Sequence, residues 1–131
     1  MTTGANDELM SEIEATEFGV ETIGAPPVVV LGVRGQADLH TAPELRNAIN
    51  AALDAGATGL VVDLSQASFV DSMTLGVLLG AVKRLRPSGG KVGIVCVDPH
   101  IRRIFEITML DRVFSLHGDR DAAREAAAGA A

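Results

Sequence analysis

The feature that most constrains this chain is an alternation. Short, β-branched, almost wholly apolar runs are separated by stretches in which apolar residues return every three or four positions. Val28–Val33 (VVVLGV), Gly59–Leu64 (GLVVDL) and Lys91–Val97 (KVGIVCV) are runs of the first kind. They leave little room for a solvated face, which marks strands inside a covered sheet. Between them lie helix-period segments. Strands alternating with helices imply an α/β layer with mostly parallel strands joined by right-handed crossovers.

The details fill in that frame. Glu17–Ile23 reads as a first strand with Phe18, Val20 and Thr22 on one side, and Gly24-Ala25-Pro26-Pro27 as a turn into the second. A first helix opens at Thr41. Thr41 and Glu44 have capping-box spacing, Pro43 is tolerated in the first turn, Leu45, Ile49, Ala52 and Leu53 form one stripe, and Gly56 ends it. A second helix spans Met73–Arg86, stopped by Pro87 and Gly89-Gly90. Asp98-Pro99 starts a third, with Ile101, Ile104, Phe105 and Thr108 inward. A short strand, Val113–Leu116, and a helix from Asp119 complete an order β-β-α-β-α-β-α-β-α. The expected fold is a single α/β domain: a mostly parallel, four- to five-stranded mixed sheet with helices and an antiparallel edge from the opening pair. Its domain spans residues 16–128, and residues 1–15 are expected to be a flexible acidic arm.

Charge supports that division. The net charge is −6, and six acids fall in the first 24 residues with no Lys or Arg among them. From residue 25 onward, eleven acids balance eleven bases. The body is neutral, so the sequence carries no electrostatic footprint for nucleic acid or an anionic membrane. No apolar run is long enough to span a bilayer, and acids stand where a signal peptide would carry bases. A cytoplasmic protein with no nucleic-acid and no membrane partner is expected.

Enzymatic signatures are sparse. His40, His100 and His117 have no carboxylate or cysteine at metal-ligand spacing, so neither metal nor cofactor is expected. Ser88-Gly89-Gly90-Lys91 lacks the earlier glycine and the final Ser or Thr of a phosphate loop, and reads as a turn into a strand. The lone Cys96 sits in an apolar strand as a small hydrophobe.

The segment Phe69-Val70-Asp71-Ser72-Met73-Thr74-Leu75-Gly76 stands apart. It leaves the carboxyl end of a strand, where α/β folds place functional groups. Asp71 or Ser72 as a helix cap, contributing about 1 kcal/mol, accounts for both residues. A hydroxyl at a helix N-terminus is also a suitable phosphate acceptor, because free N–H groups and the helix dipole favour an anion. On a helical wheel Leu75, Leu78, Val82 and Leu85 share the core face. Met73, Gly76, Val77, Gly80 and Arg84 lie opposite, on a face that either meets a partner or is covered by a neighbouring element. Its glycines permit a close backbone approach.

Residues 34–45 (RGQADLHTAPEL) and 61–80 (VVDLSQASFVDSMTLGVLLG) resemble the bacterial STAS-domain anti-sigma-factor antagonists. The resemblance runs over residues 17–125 and is carried by Asp38, Thr41, Ala42 and Leu45 together with the Asp71-Ser72 pair. It implies a non-enzymatic regulator that binds an anti-sigma factor, itself a serine kinase, and so releases a sigma factor. Phosphorylation of Ser72 by that kinase would end the complex, and a PP2C-type phosphatase would reset it. Asp71, Met73 and Thr74 flank the switch, and Asp38, Thr41, Met73, Gly76, Val77, Gly80 and Arg84 would meet the partner. Met73 and Thr74 depart from the family's D-S-[ST]-G-L-G. Thr74 in place of glycine is expected to crowd the kinase's approach. The alternative is a STAS interaction module of another signalling or transport complex, not regulated by phosphorylation.

Overall fold

A computed structural model describes residues 17–128. The arm expected at residues 1–15 lies outside them. The elements follow the expected order: β1 (Gly19–Ile23), β2 (Val28–Ala37), α1 (Ala42–Asp54), β3 (Gly59–Val70), α2 (Ser72–Leu85), β4 (Lys91–Val95), α3 (Pro99–Ile107), β5 (Ser115–His117) and α4 (Arg120–Ala128). They form one five-stranded sheet whose spatial order is β1-β2-β3-β4-β5. β1 runs antiparallel to β2, and the remaining neighbours are parallel.

Alternation along the strands divides the interior. Leu31 and Val33 of β2, Leu60, Val62 and Leu64 of β3, and Val92 and Ile94 of β4 face the larger core with residues of α1, α2 and α3. Full burial of such aliphatic side chains contributes about 1.5–3 kcal/mol each. Val30, Val61 and Val95 face the other way and meet only Ala123 and Ala127 of α4 among fully buried residues. Two alanines offer little volume, so α4 must lie close to the sheet. Gly59 makes this possible. A Cβ there would stand 2.9 Å from the Ala127 carbonyl oxygen and 3.2 Å from its Cβ.

Several expectations need correction. β2 and β3 run on to Ala37 and Val70, past the apolar runs that mark them. Their ends remain paired through irregularities between Gly32 and Arg34 and between Gly35 and Gln36, with exposed polar residues on the added length. The Thr41–Glu44 capping box does not form: Thr41 precedes α1 without a side-chain cap bond, because its hydroxyl is committed elsewhere. Thr108 is exposed rather than inward, its hydroxyl donating to the Ile104 carbonyl at 2.7 Å. β4 ends at Val95, although the Cys96 N–H still reaches the His117 carbonyl at 3.0 Å. Cys96 itself is buried, and burial pushes its thiol pKa up, consistent with an inert packing residue.

Candidate functional site

The site is built where parallel β2 and β3 end side by side. Ala37 pairs with Val70, and the Asp71 N–H donates to the Ala37 carbonyl at 3.1 Å. This bond ties the loop that opens α1 to the one that opens α2. Gly35 closes the same end against β1. It has φ +82°, and a Cβ would lie 2.8 Å from the Phe18 nitrogen.

In the first loop, Asp38 and Thr41 lock the backbone. The Thr41 hydroxyl donates to the Gln36 carbonyl at 2.9 Å and accepts from the Asp38 N–H at 2.8 Å. The Asp38 carboxylate accepts from the His40 and Thr41 N–H groups at 2.9 and 3.1 Å. Desolvation opposes its charge, but those N–H groups and the Thr41 hydroxyl outweigh it and hold the carboxyl below its usual range. These residues shape the loop. Phe18, Gln36, Asp38, His40, Thr41 and Ser68 border a shallow cleft beside it.

In the second loop, Asp71 is the cap. Its backbone is extended and its carboxylate accepts from the Thr74 N–H at 2.9 Å. Ser72 is the first helical residue, exposed, and its hydroxyl makes no hydrogen bond among the described residues. Met73 is 45% exposed, whereas Thr74 is fully buried. The expectation that Thr74 crowds an approaching partner is therefore corrected: its side chain points into the protein, and its hydroxyl is left without a partner there.

The outer face of α2 divides. Gly76 and Gly80 are open, with nothing within 4 Å of where a Cβ would stand. Val77, expected on the outside, is 6% exposed because the helix packs against α1 as well as the sheet. Arg84 reaches across to α1, donating to Asn50 at 3.0 Å and to Asp54 at 3.1 Å. The result is a groove of about 290 Å³ between α1 and α2, floored by the two glycines and closed at one end by Arg84. The structure thus brings Asp38, Thr41, Asp71, Ser72 and Met73 together at the strand ends. Gly76, Gly80 and Arg84 line the groove running away from them.

Sequence reasoning missed the apolar surface at that end. Leu39 follows β2, Phe69 precedes the cap, and Val97 follows β4, exposed by 57%, 49% and 57%. With Met73 they give the strand ends four large apolar side chains in solvent. Val97 ends an apolar run, where periodicity cannot tell it from one more core position, whereas Leu39 and Met73 stand singly between polar residues and Phe69 has only Val70 beside it, where no period applies.

Comparison with known proteins decides the family. The STAS domain family matches residues 19–123. The chain belongs to it. It is similar to the anti-sigma-B factor antagonist of Staphylococcus aureus, 32% identical over 93 residues that cover 71% of this chain and 86% of the relative. The anti-sigma-B factor antagonist of Listeria monocytogenes is 32% identical over 84 residues, covering 64% and 74% respectively. Among solved structures, an anti-sigma factor antagonist from Mycobacterium paratuberculosis superposes with a TM-score of 0.76 at 32% identity, covering 86% of this chain and 96% of that one. An anti-sigma-factor antagonist (STAS) domain protein from Planctomyces limnophilus shares the fold, with a TM-score of 0.71 at 18% identity over 83% and 97%. No helix among the described residues is long and apolar enough to cross a membrane.

Proposed function

We propose that this STAS domain is a cytoplasmic anti-sigma-factor antagonist switched at Ser72. It binds an anti-sigma factor that is also a serine kinase, and so frees a sigma factor for transcription. One observation carries the reading. Asp71 already caps α2, so capping does not account for Ser72, which stands exposed with an unengaged hydroxyl at the start of a long helix. The exposed Leu39, Phe69, Met73 and Val97 supply the apolar contact area that a protein partner needs. The named relatives support the partner class.

The mechanism is a charge switch at an interface. The kinase transfers the γ-phosphoryl group of its ATP to the Ser72 oxygen, ADP leaves, and the serine proton passes to the kinase's base. The product carries about −1.5 to −2 charge beside Asp71. In the free domain the helix N-terminus and water tolerate that charge. Pressed against a partner among apolar side chains, it must be desolvated, so the phosphate acts on the complex and not on the fold. Each 1.4 kcal/mol lost weakens binding about tenfold. Thr74, buried beneath, is no competing acceptor and leaves the approach to Ser72 clear. A PP2C-type phosphatase restores the binding form.

The test is to incubate the full chain with the anti-sigma-factor kinases of its own cell and ATP, and locate phosphate by peptide mass spectrometry. One phosphate on Ser72 is expected. Ser72→Ala should bind constitutively and Ser72→Asp at least about tenfold more weakly, with unchanged unfolding curves. Phosphate only elsewhere, or none with active cognate kinases, would sink the switch.

A further inference from the structure

A second surface lies at the opposite end of the sheet. Where α2 ends and β4 begins, Val82, Arg86, Lys91, Asp111, Arg112 and Val113 border a groove of about 520 Å³. Its charges are three bases against one acid. Neither Arg86, Lys91 nor Arg112 has a carboxylate within ion-pairing distance among the described residues. Two other cations do find partners, Arg84 on Asp54 and Arg120 on Asp63. The neutral domain therefore keeps an unneutralised basic groove with apolar walls.

The complement is in the same chain. Residues 7–14 read Asp-Glu-Leu-Met-Ser-Glu-Ile-Glu: four acids, three apolar residues and no base. We infer that this segment of one molecule docks in the Arg86–Lys91–Arg112 groove of a second copy, acids on the arginines and lysine, Leu9 and Ile13 on the apolar walls.

Tether length selects a second copy over the molecule's own groove. The described chain begins at Glu17, beside Gly35 at the Ser72 end. The register runs from Gly19 to Arg34, from Val28 to Gly59, and from Gly59 to Lys91. That path crosses three strand spacings and the length of six residues. With about 4.8 Å per spacing and about 3.3 Å per residue, Gly19 and Lys91 are roughly 24 Å apart, and Glu17 is farther still. Even fully extended, Glu14, Ile13 and Glu12 reach only about 10–18 Å from Glu17. The segment as a whole, with Glu12, Ile13 and Glu14 seated, cannot lie in its own groove. Between copies the contact joins two different surfaces, so it closes where two molecules exchange arms or a ring completes, and otherwise propagates head-to-tail.

The test is sedimentation of the full chain over a concentration series, at about 20 mM and about 500 mM salt. The weight-average mass should rise with concentration at low salt and return to that of the monomer at high salt. Reversing the groove (Arg86→Glu, Lys91→Glu, Arg112→Glu) should weaken association at least tenfold. Reversing the arm (Asp7→Lys, Glu8→Lys, Glu12→Lys, Glu14→Lys) should do the same, and combining the two sets should restore it. Arg86, Lys91 and Arg112 are exposed, and unfolding curves of each variant control for stability. A full chain monomeric up to about 1 mM overturns the inference. So does association that survives either reversal, or that the combined set fails to restore.

Discussion

Removing the guanidinium of Arg120 should cost the protein about 2 kcal/mol, because it strands a buried charge. Asp63 lies on the α4 side of β3 with 5% of its surface exposed. It accepts from Arg120 Nε at 2.5 Å and from the Ser65 N–H at 2.9 Å. In Arg120→Ala the carboxylate keeps only the donors of Ser65. Breaking a fully buried pair costs about 3–5 kcal/mol. Here the Arg120 side chain is 42% exposed, so water replaces part of what is lost and the cost falls below that range, to about 2 kcal/mol. At pH 7 the urea midpoint should fall accordingly, and Tm by about 6–10 °C. Asp63→Asn, which removes the charge but keeps the shape, should cost less. Arg120→Ala added to it should cost under about 0.5 kcal/mol, since no charge remains to be stranded. Acid gives an independent readout. Desolvation opposes the charge on Asp63, yet bonds from Ser65 and Arg120 outweigh it and hold its pKa below the usual value. A depressed pKa contributes stability that is full above the unfolded value, about 3.9, and is lost as pH falls through the folded value. Arg120→Ala removes one source of the depression, so its acid loss should begin at higher pH than the parent's. Equal costs of Arg120→Ala in the parent and Asp63→Asn backgrounds would refute the reasoning.

Other substitutions probe the site itself. Asp71→Ala removes the N-cap acceptor for Thr74 and should destabilise the fold by about 1 kcal/mol in chemical denaturation, whereas Ser72→Ala should leave it unchanged. Gly80→Ala meets nothing within 4 Å and relieves a helix-interior glycine, so it should stabilise by about 0.5–1 kcal/mol. If the α1–α2 groove also receives the anti-sigma factor, the same change weakens that binding, and titration calorimetry separates the two effects.

The sequence reveals the fold's alternation because burial writes it in apolar residues: Val28–Val33 and Gly59–Leu64 can only be covered strands. The same logic explains what stayed hidden. The outer halves of β2 and β3 are held by backbone pairing past Arg34 and Gln66, and backbone bonds leave no side-chain pattern. The wheel put Val77 outside because it assumed one buried face, but α2 serves both the sheet and α1. Thr41 matched a capping box, yet its hydroxyl had closer claims from Gln36 and Asp38. Asp63 sits in an apolar run, and nothing local announces an arginine 57 residues away. At the site the helix start at Asp71-Ser72 was readable, and Asp38 and Thr41 were legible as part of a motif. Their work as a backbone lock was not, since it depends on two loops joined by the bond from Asp71 to Ala37.

The strand order has a consequence for what such a domain recognises. Doubly wound sheets bind small molecules in the crevice where the winding reverses and successive helices part to opposite faces. Here every strand is laid beside its predecessor in one direction, so right-handed crossovers place α1, α2 and α3 on a single face in unbroken succession. The winding never turns back, and no such crevice opens. The strand ends instead present a rim of loops and helix starts, with only the shallow cleft beside the first loop. A serine on that rim is within reach of an enzyme that comes to it.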